Sequence, residues 1–199
     1  FRYVLVASDL PRLAENEGGV LSYIPNQKGI YRLQDEIAAP YRINENGWNS
    51  GQEKYTQNKN IGVIRICIVG DSYVEALQVH HKSSVAEYLE NSLRNTGKPV
   101  EVYRFGISGS PLSHYIYMIE NEILTYSPDI IVVNMVHNDF LESLSPAIGT
   151  YSGSFARLIY DAGGREMLSS PQPYRRKVSW LLKATATFRY LWVRKQFHS

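Results

Sequence analysis

The chain has 199 residues, 44% of them hydrophobic, a length and composition that fit one domain with an apolar core. Eight lysines and arginines and one acid lie from Arg165 onward, so that segment has a net charge of +7 and residues 1–164 hold −5 of the total of +2. The acidic remainder argues against a nucleic-acid-binding domain, and the sequence contains no run of about 18 apolar residues that would span a membrane.

Residues 1–60 are rich in Asn, Gly, Gln and Pro and have little periodicity. This composition predicts an irregular N-terminal arm with one or two short strands. Within it, residues 44–48 predict a turn with Trp48 as an aromatic anchor. We expect Trp48 and several tyrosines to pack this arm at the surface of the domain.

Residues 61–140 have a β-α-β-α-β pattern. The predicted elements are a strand at 63–69, a helix that begins with the capping box Ser84–Glu87 and ends before Gly97, a strand at 100–105, a helix at 113–126 and a strand at 129–136. The first strand is apolar on both faces and contains Cys67, the single cysteine. Alternation of this kind predicts parallel strands with right-handed crossovers, in a flavodoxin-like doubly wound α/β sheet.

The pattern fades over residues 141–174, which are rich in Ser, Gly and Pro and predict a loop region. Residues 175–199 regain helical spacing and predict a basic amphipathic helix. Two interpretations remain open for this helix. It packs against the domain, or it contacts a membrane surface or a partner protein.

Each predicted strand ends in residues suited to acyl transfer. Ser72 follows Gly-Asp at the end of the first strand and is a candidate nucleophile. The backbone N–H of Gly109, which has no side chain to obstruct it, and the Asn138 amide are candidate donors to an oxyanion. Because the carboxyl ends of parallel strands meet at one edge of a sheet, we expect these three residues to lie close together.

The segments Gly70–Tyr73, Gly106–Gly109 and His137–Asp139, taken as a set, resemble the first three sequence blocks of the SGNH (GDSL) hydrolases. The resemblance covers roughly residues 61–140 and implies an SGNH-like α/β fold. It implies that Ser72 is the nucleophile and that its own N–H, Gly109 and Asn138 form the oxyanion hole. It also implies hydrolysis or transfer of an ester acyl group, often acetyl on a sugar.

Residues 44–48 and 73–79 are similar to those of bacterial members linked with cell-surface polysaccharide modification. The similarity indicates an extracytoplasmic or membrane-associated location in a bacterium. The expected partner is an acylated carbohydrate or another small ester, rather than a nucleic acid, and the oligomeric state stays open.

The sequence departs from this family at the general base, which is a histidine preceded by an aspartate three positions earlier. Leu77, Gln78, Pro111, Asn134 and Lys195 occupy that position before the five histidines. A serine without its base loses a factor of about 10⁴ to 10⁶ in rate. One hypothesis is that the domain is incomplete at its C-terminus, with further strands and the Asp-x-x-His segment beyond Ser199. The absence of an initiator Met favours a fragment. The other hypothesis is that the chain is a non-catalytic scaffold or binding subunit.

The other polar residues near these strand ends predict supporting roles. His137 and Asn138 are adjacent and would point to different sides, which disfavours His137 as a base, and His114 is expected to be structural or to line the rim. Asp71 and Asp139 are expected to support their turns through backbone hydrogen bonds. The sequence shows neither metal-ligand clusters nor a phosphate-binding loop, so we predict no metal and no cofactor.

Overall fold

A computed structural model of the chain describes residues 8–33, 36–144 and 152–174. Its strands are β1 (Leu13–Glu15), β2 (Leu21–Tyr23), β3 (Lys28–Leu33), β4 (Ile37–Arg42), β5 (Ile64–Gly70), β6 (Val100–Gly106), β7 (Ile130–Val133), β8 (Leu158–Tyr160) and β9 (Glu166–Leu168). Its helices are α1 (Ser72–Glu75), α2 (Val85–Arg94), α3 (Leu112–Asn121) and α4 (His137–Leu144), with single 3-10 turns at Ile123–Tyr126 and Ser152–Ser154. Of the helices described, none combines the length and the apolar character needed to cross a membrane.

The centre of the fold is a parallel sheet in the order β6-β5-β7. The central strand β5 is buried from Arg65 to Gly70, as expected for a parallel strand covered on both faces. In register, Gly70 pairs with Gly106 of β6, and Val69 pairs with Val133 of β7. The predicted α/β class and the parallel pairing are therefore confirmed.

The helix α2 begins at the predicted cap. The Ser84 hydroxyl accepts the Ala86 N–H at 3.3 Å and donates to the Glu87 carboxylate. Instead of closing back on the Ser84 N–H, Glu87 accepts the N–H of Gly51 at 2.6 Å. The box therefore anchors the N-terminal segment to α2 as well as capping the helix.

The structure corrects the predicted end of the third strand. The sequence predicts a strand over 129–136 that ends in His137-Asn138-Asp139, but β7 stops at Val133 and residues from His137 form α4. The reason is local, because the Asp139 carboxylate in the first turn accepts the Val136 N–H at 2.8 Å. This bond replaces a strand partner for that N–H and starts a helix.

The predicted helix over 113–126 is also interrupted. It divides at Glu122, whose φ of −133° is not helical, into α3 and the following 3-10 turn. The Glu122 carboxylate accepts hydrogen bonds from Trp48 Nε1 at 3.4 Å, Tyr126 Oη at 3.1 Å and Asn16 Nδ2 at 2.5 Å. The two contacts from the N-terminal segment, Trp48 and Asn16, hold Glu122 outside the helix.

The N-terminal segment contains more regular structure than the sequence predicts. The strands β1 and β2 form one antiparallel hairpin and β3 and β4 form another, where one or two strands were expected in an irregular arm. The predicted turn at 44–48 is confirmed, since Asn44 Oδ1 accepts the N–H of Trp48 at 2.9 Å. Trp48 is fully buried and packs edge-on against Phe105 with ring centroids 5.2 Å apart.

Aromatic residues join this segment to the sheet. Tyr55 stacks on Tyr103 of β6 with ring centroids 4.2 Å apart, and Tyr126 packs edge-on against both rings. Trp48 and Tyr55 belong to the same buried cluster as Phe105. The arm is therefore packed by Trp48 and tyrosines as predicted, but the predicted location of these side chains at the domain surface is wrong, because they form part of the core.

The predicted loop region over 141–174 begins inside α4 and contains the β8–β9 hairpin. Leu158 pairs with Leu168, and Tyr160 pairs with Glu166. These strands have three residues each, too few for a recognisable alternation. The predicted helix at 175–199 lies outside the described residues.

Replacement of Gly106 by alanine tests how closely α1 packs on the sheet. A Cβ at this position would overlap the backbone N of Glu75 and would lie 2.6 Å from the carbonyl carbon of Val74. We expect Gly106→Ala to lower the free energy of unfolding by about 1–3 kcal/mol, because backbone atoms of α1 must move. Urea denaturation measures the change.

Gly153→Ala is the matched control, since a Cβ at Gly153 would meet no atom within 4 Å. We expect it to change the free energy of unfolding by less than about 0.5 kcal/mol. Equal stability of the two variants would contradict the close packing of α1 on β6.

Candidate active site

Ser72 is the first residue of α1, directly beyond the carboxyl end of the central strand. Asp71 caps this short helix by accepting the Tyr73 N–H at 3.0 Å, and Ala76 ends it with a left-handed φ of 52°. Ser72 is half-buried, and its hydroxyl makes no hydrogen bond to any residue within the described ranges. The hydroxyl lies where open α/β sheets bind ligands.

Gly109 lies in a turn over residues 107–110, beyond the end of β6. The Ser110 N–H donates to the Ile107 carbonyl at 3.1 Å, and Gly109 has a φ of 73°. A positive φ at the third position alone defines a type II turn, which favours glycine there. A Cβ at Gly109 would meet no atom within 4 Å, so within the protein the glycine is needed for its φ, and the approach of an oxyanion to its N–H stays a prediction.

Asn138 lies in the first turn of α4, beyond the end of β7. Its Nδ2 donates to Glu142 Oε1 on the same helix at 3.1 Å. An amide nitrogen has two hydrogens, so one donor of Asn138 is engaged with Glu142 and the other is bonded to no residue of the described ranges. The side chain is thus hydrogen-bonded within its own helix, a contact that the sequence did not predict.

The sheet brings the three segments to one edge. The Ile107 N–H donates to the Gly70 carbonyl at 3.4 Å, which joins the end of β5 to the turn after β6. The Asn134 N–H donates to the Val69 carbonyl at 2.9 Å, which joins β5 to the segment before α4. The carboxyl ends of the three strands therefore meet at one edge of the sheet, and the approach of Ser72, Gly109 and Asn138 to one another stays a prediction.

Glu75 is a residue of this edge that sequence reasoning missed. It is 3% exposed, and its Oε1 accepts the Ser108 N–H at 3.2 Å and the hydroxyl of Tyr23. Burial raises the pKa of Glu75 to about 7, although both hydrogen bonds favour the ionised form. The available signal was an acid between Val74 and Ala76, in a stretch that reads as apolar.

Asp71 and Asp139 support their turns through backbone hydrogen bonds, as predicted. Asp139 is buried and accepts the Tyr115 hydroxyl at 3.0 Å in addition to the Val136 N–H. Burial raises the pKa of Asp71, the Tyr73 N–H opposes this shift, and the nearby charge of Asp139 adds to it. The charge interaction between the two aspartates is a further sign that the ends of β5 and β7 are close.

His114 is a structural residue. It is fully buried on α3, packs against Phe155 with ring centroids 4.9 Å apart, and its Nδ1 accepts the Ala156 N–H at 3.1 Å. Burial, with the nearby positive charge of Arg157, lowers the pKa of His114 to about 3. The ring is therefore neutral with its proton on Nε2 and cannot accept a proton from a serine.

The other described histidines also make no hydrogen bond to Ser72. His80 and His81 stack on each other with ring centroids 4.3 Å apart, and His81 Nδ1 contacts the Pro40 carbonyl at 3.2 Å. His137 is exposed at the start of α4. His198 lies outside the described residues. Over residues 8–33, 36–144 and 152–174, no histidine is hydrogen-bonded to Ser72.

Comparison of the chain with models of known protein families, with curated proteins and with solved structures gives no significant match to any of them. In the part of the chain that the structure describes, no group of three or more His, Cys, Asp or Glu side chains could hold a metal ion. The case for a function consequently depends on the geometry of the sheet edge.

The raised pKa of Glu75 predicts a characteristic pH dependence of stability. Between pH 4.5, its ordinary pKa, and about 7, the folded state binds more protons at Glu75 than the unfolded state. The free energy of unfolding therefore falls through this window as the pH rises, by roughly 3 kcal/mol from this group. Glu75→Gln removes the titration, so the stability of the variant relative to wild type should rise by that amount.

Urea denaturation from pH 4.5 to 8 measures this difference, with Glu17→Gln as the control for loss of an exposed carboxylate. A constant difference between Glu75→Gln and wild type across the window would show that the carboxyl is not buried as described.

His114 predicts a dependence of the opposite sign. Its folded pKa is below its unfolded value of 6.5, so the unfolded state binds more protons as the pH falls below 6.5. Between pH 6.5 and 5 the wild type should lose about 2 kcal/mol relative to His114→Asn, whose side-chain oxygen is attached at the same position as Nδ1 and can accept the Ala156 N–H. Unfolding curves at those two pH values test this, and equal losses in both proteins would contradict a buried neutral histidine.

Proposed function

We propose that this chain forms the nucleophile and oxyanion part of a serine esterase or O-acyltransferase that acts on an acylated, especially acetylated, carbohydrate. The observation that carries the proposal is the position of Ser72, whose hydroxyl is bonded to none of the described residues, at the start of α1 beyond the central parallel strand. Gly109 and Asn138 follow the two strands that flank it. The donors expected for an oxyanion therefore belong to segments on either side of the serine.

We further propose that the sheet is of the flavodoxin-like, SGNH kind. Numbered along the β-α-β-α-β segment, the strands β5, β6 and β7 lie in the spatial order 2-1-3. This is the order in which a flavodoxin-like sheet begins. The bound ligand in such a sheet lies at the carboxyl edge beside the first strand, which is the position of Ser72.

In the proposed reaction the Ser72 oxygen attacks the carbonyl carbon of the ester, and the carbonyl oxygen becomes an oxyanion. The Gly109 N–H and the free hydrogen of Asn138 Nδ2 would donate to that oxygen, each contributing roughly 3–4 kcal/mol to stabilisation of the transition state. The alcohol leaves with a proton, and an acyl group stays on Ser72. Attack on this acyl-enzyme by water gives hydrolysis, and attack by a sugar hydroxyl gives transfer.

The proposed reaction also requires a proton acceptor for Ser72. His114 cannot serve, since its Nδ1 accepts the Ala156 N–H and its Nε2 holds the proton. Among the described residues no histidine is hydrogen-bonded to Ser72, so a contact that meets this requirement is not found there. This requirement, with the engagement of Asn138 by Glu142, favours a non-catalytic scaffold or binding subunit as the second candidate function.

Hydrolysis of p-nitrophenyl acetate by the full-length protein tests the proposal. We expect Ser72→Ala to lower kcat by a factor of about 10⁴ to 10⁶, limited by the background rate, because the acyl-enzyme cannot form. Ser92→Ala, at an exposed position of α2, is the matched control and should retain wild-type activity. Mass spectrometry should locate a transient acetyl group on the peptide that contains Ser72.

Two results would reject the esterase. Equal activity of Ser72→Ala and wild type would show that Ser72 is not the nucleophile. Absence of activity and of acetylation in wild type would favour the scaffold.

A further inference from the structure

A buried carboxylate connects the helix of Ser72 to the turn of Gly109. Glu75 is the last residue of α1, and its Oε1 accepts the N–H of Ser108, the residue before Gly109, at 3.2 Å. In sequence the two partners are far apart, and the parallel pairing of β5 with β6 brings them together. The contact is thus a direct link between the proposed nucleophile segment and the proposed oxyanion segment.

The main chain of Glu75 is held in place on several sides. Its carbonyl accepts hydrogen bonds from Asn49 Nδ2 at 2.9 Å and from Arg104 Nη1 at 3.3 Å, and its N–H donates to the Asp71 carbonyl at 2.9 Å. The lack of a side chain at Gly106 lets this backbone lie against β6. Glu75 therefore offers its carboxylate from a fixed position.

Ser108 occupies the second position of the type II turn, and Gly109 occupies the third. The peptide between them carries the Gly109 N–H, and its direction distinguishes a type II turn from a type I turn. A hydrogen bond from the Ser108 N–H restrains Ser108 immediately before that peptide. Gly109 is exposed and has open space around it, so packing of its own does not hold the peptide.

We infer that Glu75 is a positioning residue, whose carboxylate holds the Ser108–Gly109 peptide so that the Gly109 N–H is directed at the oxyanion formed on Ser72. The inference rests on the proposed function. Glu75 would act through Ser108 and would not touch the substrate. Its role is distinct from those of the nucleophile and the oxyanion donors.

Amide hydrogen exchange, measured by NMR without any substrate, tests whether Glu75 holds the Ser108 N–H. Glu75→Gln keeps an oxygen that can accept the Ser108 N–H, whereas Glu75→Leu removes the acceptor. We expect exchange at Ser108 to accelerate about 10- to 100-fold in Glu75→Leu and by less than about threefold in Glu75→Gln, relative to wild type. Should Glu75→Leu fail to fold, Glu75→Met serves as the apolar variant.

Tyr23→Phe is the matched control, because it removes the other hydrogen bond to Glu75 Oε1 and leaves the Ser108 bond in place. We expect protection of the Ser108 amide to persist in Tyr23→Phe. Unchanged exchange at Ser108 in the apolar variant would overturn the inference.

The effect of Glu75 on catalysis is tested by measuring hydrolysis of p-nitrophenyl acetate in these variants and in a rescue variant. We expect kcat to fall about 10- to 100-fold in Glu75→Leu, with KM changed less than about twofold, and to recover in Glu75→Gln. Ser108→Pro has no N–H to donate, but its ring fixes the φ that the second position of a type II turn requires. Adding Ser108→Pro to Glu75→Leu should therefore restore most of kcat.

The outcomes separate the inference from the proposed function. Loss of activity in Ser72→Ala with no loss in Glu75→Leu would overturn the role of Glu75 and leave the esterase standing. Failure of Ser108→Pro to raise the kcat of Glu75→Leu would show that Glu75 acts other than through the turn. If Ser72→Ala and wild type are equally active, the esterase and the positioning role both fail, even where exchange at Ser108 depends on Glu75.

Discussion

The close packing of α1 on the end of the parallel sheet is the constraint on which the site depends. Gly70 and Gly106 are paired in register, and a Cβ on either would overlap atoms of α1. The backbone of the helix can therefore lie directly on the strand ends, and Ser72 stands at the carboxyl edge. The same approach puts Glu75 within hydrogen-bond distance of Ser108, so one packing contact places both the serine and the turn of Gly109.

Two buried arginines stabilise this arrangement by donating hydrogen bonds to carbonyl groups that accept none from the backbone of a described strand or helix. Arg104 donates to the carbonyls of Val74, Glu75 and His81 around the end of α1. Arg65 donates to carbonyls at Gln57 and Asn58 and forms an ion pair with Glu101 at 2.8 Å. These hydrogen bonds offset the cost of burying a guanidinium, although Arg104 Nε has no hydrogen-bond partner within the described residues and lies 3.7 Å from Glu87 Oε1. Each arginine thereby ties the sheet to the irregular segments around it.

The sequence predicted best where one local pattern decides the structure. The apolar runs of β5 and β6 and the cap at Ser84 are of this kind, and they lie within one residue of their predicted limits. Prediction failed where a distant contact decides. The sequence predicted that Trp48 anchors a turn, but the burial of Trp48 against Phe105 depends on the sheet. Similarly, α3 is interrupted because Glu122 accepts hydrogen bonds from residues of other segments. The third strand is an exception, because the contact that ends it is local: the Asp139 carboxylate accepts the Val136 N–H and begins α4.

The sequence by itself determined that Ser72, Gly109 and Asn138 follow three successive core segments, since apolar runs and turn residues are local properties. Only the tertiary structure decided what surrounds them. The Asn138 amide lies in a helix, where it is bonded to Glu142, rather than at the end of a strand. Glu75, which the sequence did not identify as a site residue, accepts a hydrogen bond from the Ser108 N–H. The reason is physical, because hydrogen bonds and burial depend on distances between strands, which exist only once the sheet has formed.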